Sequence, residues 1–305
     1  MSSKSALYQT IYMEIEREVI TLSYDVMFDD ANFDNDVHSI KIAELILRCA
    51  SQIESISKDL FFENGGTGDR NKVRFDHDCL YKIMNDWHLE NRTVYLNLVA
   101  SKLTKPKYIE YKPFKHVLKN VTIGFDRTTK TKIREKRPTY SWNVAYQELK
   151  HDFMGSVEKC ATIHNLLSIV ATLYTLSIYY GNPTKEMAMR QTYMTYDDMF
   201  HSNSKLFRVT NAILSFHSIV MGDEYKKSEI NSWLKKPLFI AKYTDFFAEK
   251  IRRQEGIKSV KLSRPDVDGQ IEQFEEVEFE VVLNKGQEIY PKLEDEEWEL
   301  LNLEM

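Results

Sequence analysis

Apolar residues recur every three or four positions through most of the first 180 residues, a spacing that predicts helices with one buried face. The first helix is expected from Tyr8 to about Met27, with Ile11, Met13 or Ile15, Val19 and Leu22 inward. The second, Val37 to Phe62, keeps the period through Ile42, Leu45, Ile46, Cys49, Ile53, Ile56 and Leu60, and the pairs Glu44/Arg48 and Glu54/Lys58 add favourable four-residue charge spacing. Glu63 to Asn71 holds three glycines in four residues and reads as a loop, without the Gly-Lys-Ser/Thr ending of a phosphate-binding loop. A further helix is expected from Asp76 to about Asn91. From Arg92 to Thr139 the period fails, and a loop or an irregular hairpin is expected there.

Trp142, Ala145, Leu149 and Phe153 restore the helical stripe. After Gly155, Ser156 is placed to cap a second helix whose Cys160, Ile163, Leu166, Leu167, Val170, Leu173, Tyr174 and Ile178 leave almost no polar face, the pattern of a buried central helix. Its length would reach across a bilayer, but His164, Asn165, Ser168, Thr172, Thr175 and Ser177 are costly in hydrocarbon and favour a bundle core. Counting outward from a turn at Met154 and Gly155 sets His164 and Asn165 opposite Ala145 and Tyr146, so the Tyr146 hydroxyl is expected to partner one of them. Gly181, Asn182 and Pro183 end this helix.

Shorter helices are expected near Tyr193 to Phe200 and Ser204 to Met221. Beyond Trp233 the period changes to that of strands in PLFIAKY and VEFEVVL, followed by a turn at Asn284 to Gly286 and a piece around Glu288 to Tyr290. The fold class is therefore mainly α. A helical bundle occupies 1–225 with a basic insertion at about 92–139, and a small β or α+β appendage with an acidic tail occupies 226–305.

Composition sharpens this picture in two places. Hydrophobic residues make up 43% of the 305 positions, enough for a substantial core. The net charge of −5 conceals an asymmetry: Lys102 to Arg137 carries twelve Lys or Arg against three acids, net +9, and Asp268 to Met305 carries thirteen acids against two lysines, net −11. A basic block attracts phosphate-rich partners, and an acidic segment repels them or competes for the same surface. Cys49, Cys79 and Cys160 show no paired spacing and read as core residues. Without an apolar stretch after MSSKSALYQT, a cytoplasmic protein is expected. Asp29-Asp30, and Asp197-Asp198 with His201, match no standard metal set, so neither metal nor cofactor is expected.

The candidate chemistry sits at the end of the Trp142–Phe153 helix. There His151 follows Lys150, and a helix C-terminus favours the protonated imidazole while the neighbouring ammonium opposes it. Such a histidine suits general acid/base work beside a phosphodiester. The basic residues expected to dock the phosphate backbone are Lys102, Lys105, Lys107, Lys112, Lys115, Lys119, Arg127, Lys130, Lys132, Arg134, Lys136 and Arg137.

The segment AYQELKHDF, an aromatic-rich helix ending in Leu-Lys-His before an apolar helix, resembles the Tyr-Asn-x-x-Lys-His type of sequence in divergent HEPN-like bacterial proteins, several of them linked to abortive infection and phage defence. The long N-terminal helices, including ELILRCASQIESISKDLF, are similar to the opening of such bundles, and the likeness spans roughly Tyr8 to Tyr180. The resemblance implies a HEPN-like helical bundle that binds RNA, with metal-independent ribonuclease chemistry at His151 assisted by Lys150 and Tyr146. It further implies homodimerisation and a protein partner from a defence or toxin system. The Arg-to-His spacing usual in such nucleases is matched by Arg70-Asn71 to His77, a second-choice site. Lys150 stands where that pattern has Arg, and many relatives lack the catalytic pair and act as binding modules. The alternative is thus a non-enzymatic interaction or regulatory subunit.

Overall fold

The computed structural model describes residues 3–97, 102–126, 131–181, 204–209, 211–213, 236–243 and 279–285. Helices α1 (Ser3–Asp25), α2 (Asp30–Asp34) and α3 (Ile40–Glu63) open the chain. A π-turn, Phe75–Cys79, then leads into α4 (Leu80–Asp86), and a short 3-10 turn follows at Leu89–Asn91. Between these and the later helices lie β1 (Val94–Leu96), α5 (Pro106–Ile109), β2 (Glu110–Tyr111), β3 (His116–Asp126) and β4 (Thr131–Tyr140). The chain continues through α6 (Ser141–His151), α7 (Phe153–Cys160), α8 (Ile163–Gly181), β5 (Phe207–Val209), β6 (Asn211–Ile213), β7 (Phe239–Tyr243) and β8 (Phe279–Leu283). The protein is mainly helical.

At the centre, α3 packs against α8, α1, α4 and α6. Its Ile42, Leu45, Ile46, Cys49, Ile53 and Ile56 are completely buried, each large aliphatic contributing about 1.5–3 kcal/mol of transfer free energy. Ser39 caps α3, its Oγ accepting from the Ile42 amide at 3.2 Å. Along α8 every residue from Ile169 to Tyr179 is buried, as the uninterrupted apolar run implies. Among the described residues no helix is long and apolar enough to cross a membrane.

Three stretches depart from the sequence reading. The helix expected over Asp76–Asn91 is split, because the π-turn and the left-handed His88 at φ 50° interrupt its hydrogen bonding. Second, the two helices expected around Gly155 are three. Asp152, not Ser156, caps α7 by accepting from the Gly155 amide at 3.1 Å, and the chain breaks again at Ala161 before α8. A Cβ on residue 155 would run into the Asp152 carboxylate, which is why glycine stands there.

Third, 204–209 and 211–213 are extended or coil where a helix was expected. The buried Glu16 carboxylate of α1 draws the Lys205 and Leu206 amides at 3.0 and 2.9 Å together with the Ser204 hydroxyl, removing them from helix formation. The expected helix at Tyr193–Phe200, the strand piece at Glu288–Tyr290 and Gly286 lie outside the described residues.

Within the stretch expected to be a loop or an irregular hairpin, the second alternative holds for His116–Asp126 and Thr131–Tyr140. β3 and β4 form an antiparallel two-stranded ribbon, with one irregularity between Thr122 and Gly124. β1 pairs with both β2 and β5, and β7 lies between β6, which is parallel to it, and β8, which is antiparallel. Within the expected strands PLFIAKY and VEFEVVL, Phe239–Tyr243 and Phe279–Leu283 form β7 and β8. Leu238, Phe239 and Leu283 join the same core as the helices. Asn284 ties the end of β8 to the body: it accepts from Arg92 at 2.8 Å, donates to the Pro237 carbonyl at 3.0 Å, and offers its own carbonyl to Tyr179 at 2.6 Å.

Candidate nucleic-acid interface and polar cluster

Along α6, Asn143, Tyr146 and Lys150 share one face by their three-and-four spacing. Tyr146 is buried and meets the Phe75 ring edge-on at 6.4 Å. Lys150 lies over the Tyr146 ring with Nζ 5.4 Å from its centre, and the bond to the Tyr146 hydroxyl holds the ammonium above its ordinary pKa. His151 is the next residue, off that face and exposed. The ten residues of helical rise between Ser141 and His151 set the imidazole about 15 Å from the ribbon root.

Tyr146 does not meet His164 or Asn165, contrary to the hairpin count. The break at Ala161 restarts the helix in a new direction, so the count across one turn loses its basis. Asn165 donates instead to the Cys160 carbonyl at 2.9 Å, and the His164 ring faces Tyr111 and Tyr108 at 5.9 and 6.5 Å.

The π-turn places Asp76 and His77 beside α6. Asp76 Oδ2 accepts from Asn143 Nδ2 at 2.9 Å and lies 3.6 Å from His77 Nε2. His77 Nδ1, Tyr140 Oη and Asn143 Oδ1 are buried without a hydrogen-bond partner among the described residues, a concentration of unsatisfied polar atoms that a folded chain rarely keeps. Arg70, the other half of the second-choice pair, is bonded to Asp59, which also accepts from Tyr8 at 2.9 Å. The π-turn thus brings Asp76, the neighbour of His77, to Asn143 and Phe75 to Tyr146, while Arg70 is held by Asp59 and His151 is exposed off that face. Asp76 and Asn143 escaped the sequence reading. The available signal was the spacing of Asn143 one turn before Tyr146.

The basic block divides into two parts. Lys105, Lys107 and the Tyr108 hydroxyl converge on Asp34 of α2, lowering its pKa to about 2, with the Lys105 bond the largest cause. These cations fasten α5 to α2. Lys102 pairs through its backbone, donating to the Phe28 carbonyl at 3.0 Å. Lys112 and Lys115 are exposed before the ribbon.

On the ribbon, Lys119 stands directly across from Arg137, and Lys136 across from Asn120. Arg137 donates through Nε and Nη2 to Glu135 at 3.1 Å, while Lys119 and Lys136 are exposed with no ion pair among the described residues. Lys132 and Arg134 occupy β4 positions opposite Phe125 and Thr122, and Arg127 and Lys130 lie outside the described residues. At the root Tyr140 stacks on Trp142 at 5.7 Å, and Trp142 donates to the Pro113 carbonyl at 3.1 Å.

Two groups of titrating residues carry consequences. Burial raises the thiols of Cys49, Cys79 and Cys160, that of Cys79 to about 11, so all three are poor nucleophiles at neutral pH. Burial lowers the pKa of His164; Asp36 opposes the shift and Lys107 assists it. The unfolded chain therefore binds this proton more readily than the folded one. Stability should fall as pH drops below about 6.5 and stop responding to this group below its folded pKa. Urea unfolding at pH 7.5 and 5.5 should show a smaller loss for His164→Leu than for the unsubstituted chain. No family model, curated protein or solved structure matches the chain in comparisons with known proteins.

Proposed function

We propose that this protein binds RNA along the β3–β4 ribbon, as a HEPN-like helical protein of the bacterial cytoplasm serving a defence or toxin system. One observation carries the reading: Lys119 directly opposite Arg137 on a ribbon rich in Lys and Arg. Like charges placed across a strand pair repel, and a phosphate between them converts that repulsion into attraction. The proposal extends to metal-independent cleavage. An imidazole would take the 2′-hydroxyl proton, the 2′-oxygen would attack the adjacent phosphorus, and the 5′-oxygen would leave with a proton, giving a 2′,3′-cyclic phosphate and a 5′-hydroxyl.

His151 is the better placed for this because it is exposed beside Lys150, whereas His77 turns Nε2 toward Asp76 and buries Nδ1. A second reading, a non-enzymatic interaction subunit, draws support from the engagement of Arg70 by Asp59, which leaves His77 without the companion that the second-choice pattern needs. Incubation of end-labelled single-stranded RNA in EDTA decides between the two. Cleavage abolished by His151→Ala and retained by His77→Ala supports the first; binding without cleavage supports the second. Failure to bind RNA at 50 mM salt overturns the proposal.

A further inference from the structure

Two carboxylates of α2 gather six donors from the start of the basic block. Asp30 accepts from the Thr104 hydroxyl and from the Thr104 and Lys105 amides at 3.2 and 3.5 Å. Asp34 accepts from the Lys105 ammonium, from the Lys107 ammonium at 3.5 Å and from the Tyr108 hydroxyl. Ammonium, hydroxyl and backbone N–H groups converging on anionic oxygens are the donor types that hold a phosphodiester. The two acids lie one helical turn apart, so they offer two anions in a row.

The junction of α2 with α5 has a second, apolar hold. Phe33 meets the Tyr108 ring at 4.6 Å and the Phe28 ring at 6.2 Å, and the Lys102 amide donates to the Phe28 carbonyl at 3.0 Å. Asp29 caps α2 without help from either acid, accepting from the Asn32 amide at 2.8 Å. The polar half faces water. The side chains of Asp34, Lys105 and Lys107 are 40, 44 and 63% exposed, where ion pairs are weak and a competing anion has access. Lys102 to Lys119 holds six lysines against one acid, and Lys112, Lys115 and Lys119 are exposed with no ion pair among the described residues. Chain length alone keeps Lys107 within about 17–18 Å of Lys112, in reach of the same bound strand.

We propose that Thr104, Lys105, Lys107 and Tyr108 form a second phosphate-binding site of the basic block, for the backbone of an RNA strand, which Asp30 and Asp34 hold closed as intramolecular stand-ins for phosphate. Its use by RNA rests on the RNA-binding reading above; the anion site itself does not. Asp30→Asn with Asp34→Asn removes the charge and keeps the shape. Single-stranded RNA should then bind at least about tenfold tighter at 50 mM salt. The slope of log K against log salt should steepen by about 1.4, for two added phosphates at about 0.7 each. Adding Lys105→Gln and Lys107→Gln should cancel both gains. Glu14→Gln with Glu90→Gln removes the same charge from exposed positions elsewhere and should leave the slope unchanged.

Unchanged affinity in the Asp30 and Asp34 double variant, or an equal gain in the Glu14 and Glu90 control, would overturn the proposal. A thermal melt checks the fold, and Asp34→Asn alone serves, with the same direction expected, if the double variant melts early. Isothermal titration calorimetry with inorganic tripolyphosphate separates the site from the RNA reading. If no variant binds RNA but tripolyphosphate binds the double variant more tightly than the unsubstituted chain, the RNA reading fails and the site stands. Equal binding of tripolyphosphate by the two proteins overturns the site.

Discussion

Lys119→Glu, Lys136→Glu and Arg137→Glu introduced together should lower RNA affinity at least about 100-fold at 50 mM salt while leaving the fold intact. Lys119 and Lys136 are exposed and free of ion pairs among the described residues, so their reversal removes no packing that holds the helices. The Arg137–Glu135 pair is lost, a surface interaction worth about 0–1 kcal/mol. Each phosphate contact removed weakens binding by roughly 1 kcal/mol at low salt and reduces the slope of log K against log salt by about 0.7 for a single strand. Reversal adds repulsion to that loss. Fluorescence anisotropy with labelled RNA measures the affinity, and a thermal melt checks the fold. Unchanged affinity would remove the ribbon from the interface.

The largest expected stability effect lies far from the ribbon. Glu16→Ala should destabilise the protein by about 3 kcal/mol, because one buried carboxylate oxygen gathers four donors. These are the Tyr12 hydroxyl at 2.9 Å, the Ser204 hydroxyl, and the Lys205 and Leu206 amides. Alanine would take the acceptor from the Lys205 amide, leave the buried Leu206 amide only the Ser204 hydroxyl at 3.2 Å, and free the 204–207 segment from α1, with loss of β5 support for β1. Glu16→Gln retains an acceptor and should cost less. Glu14, exposed and paired among the described residues only with Arg17, provides the control, since Glu14→Ala should stay within about 0.5 kcal/mol. A fall in melting temperature on the order of 6–12 °C is expected for Glu16→Ala. A fall equal to that of Glu14→Ala would refute the clamp.

The helices were legible where their period was strong and their partners were local. The period of α3 alone located its buried face within a few residues of its ends, and α8 announced its burial by lacking a polar side. Cap competition was harder to read. Both Asp152 and Ser156 can start a helix; Asp152 caps α7, and the further break at Ala161 ends the single-turn count that set Tyr146 opposite His164 and Asn165. The ribbon matches the irregular hairpin that was one of two readings of this stretch, but its strands could not be located because Lys119, Lys132, Lys136 and Arg137 replace the apolar alternation that usually marks strands. Residues 204–207 were shaped by Glu16, a partner 188 or more positions away that no local window contains. Of the candidate site, the residue types were visible. Their grouping depended on the π-turn, which brings Asp76 to Asn143 of α6.

The most direct test of the account is the affinity of the unsubstituted protein for single-stranded RNA between 50 and 200 mM salt. If about five ribbon cations hold phosphates, log K should fall against log salt with a slope near −3.5, roughly a 100-fold loss across that range. An affinity that stays level as salt rises would contradict the ribbon's role.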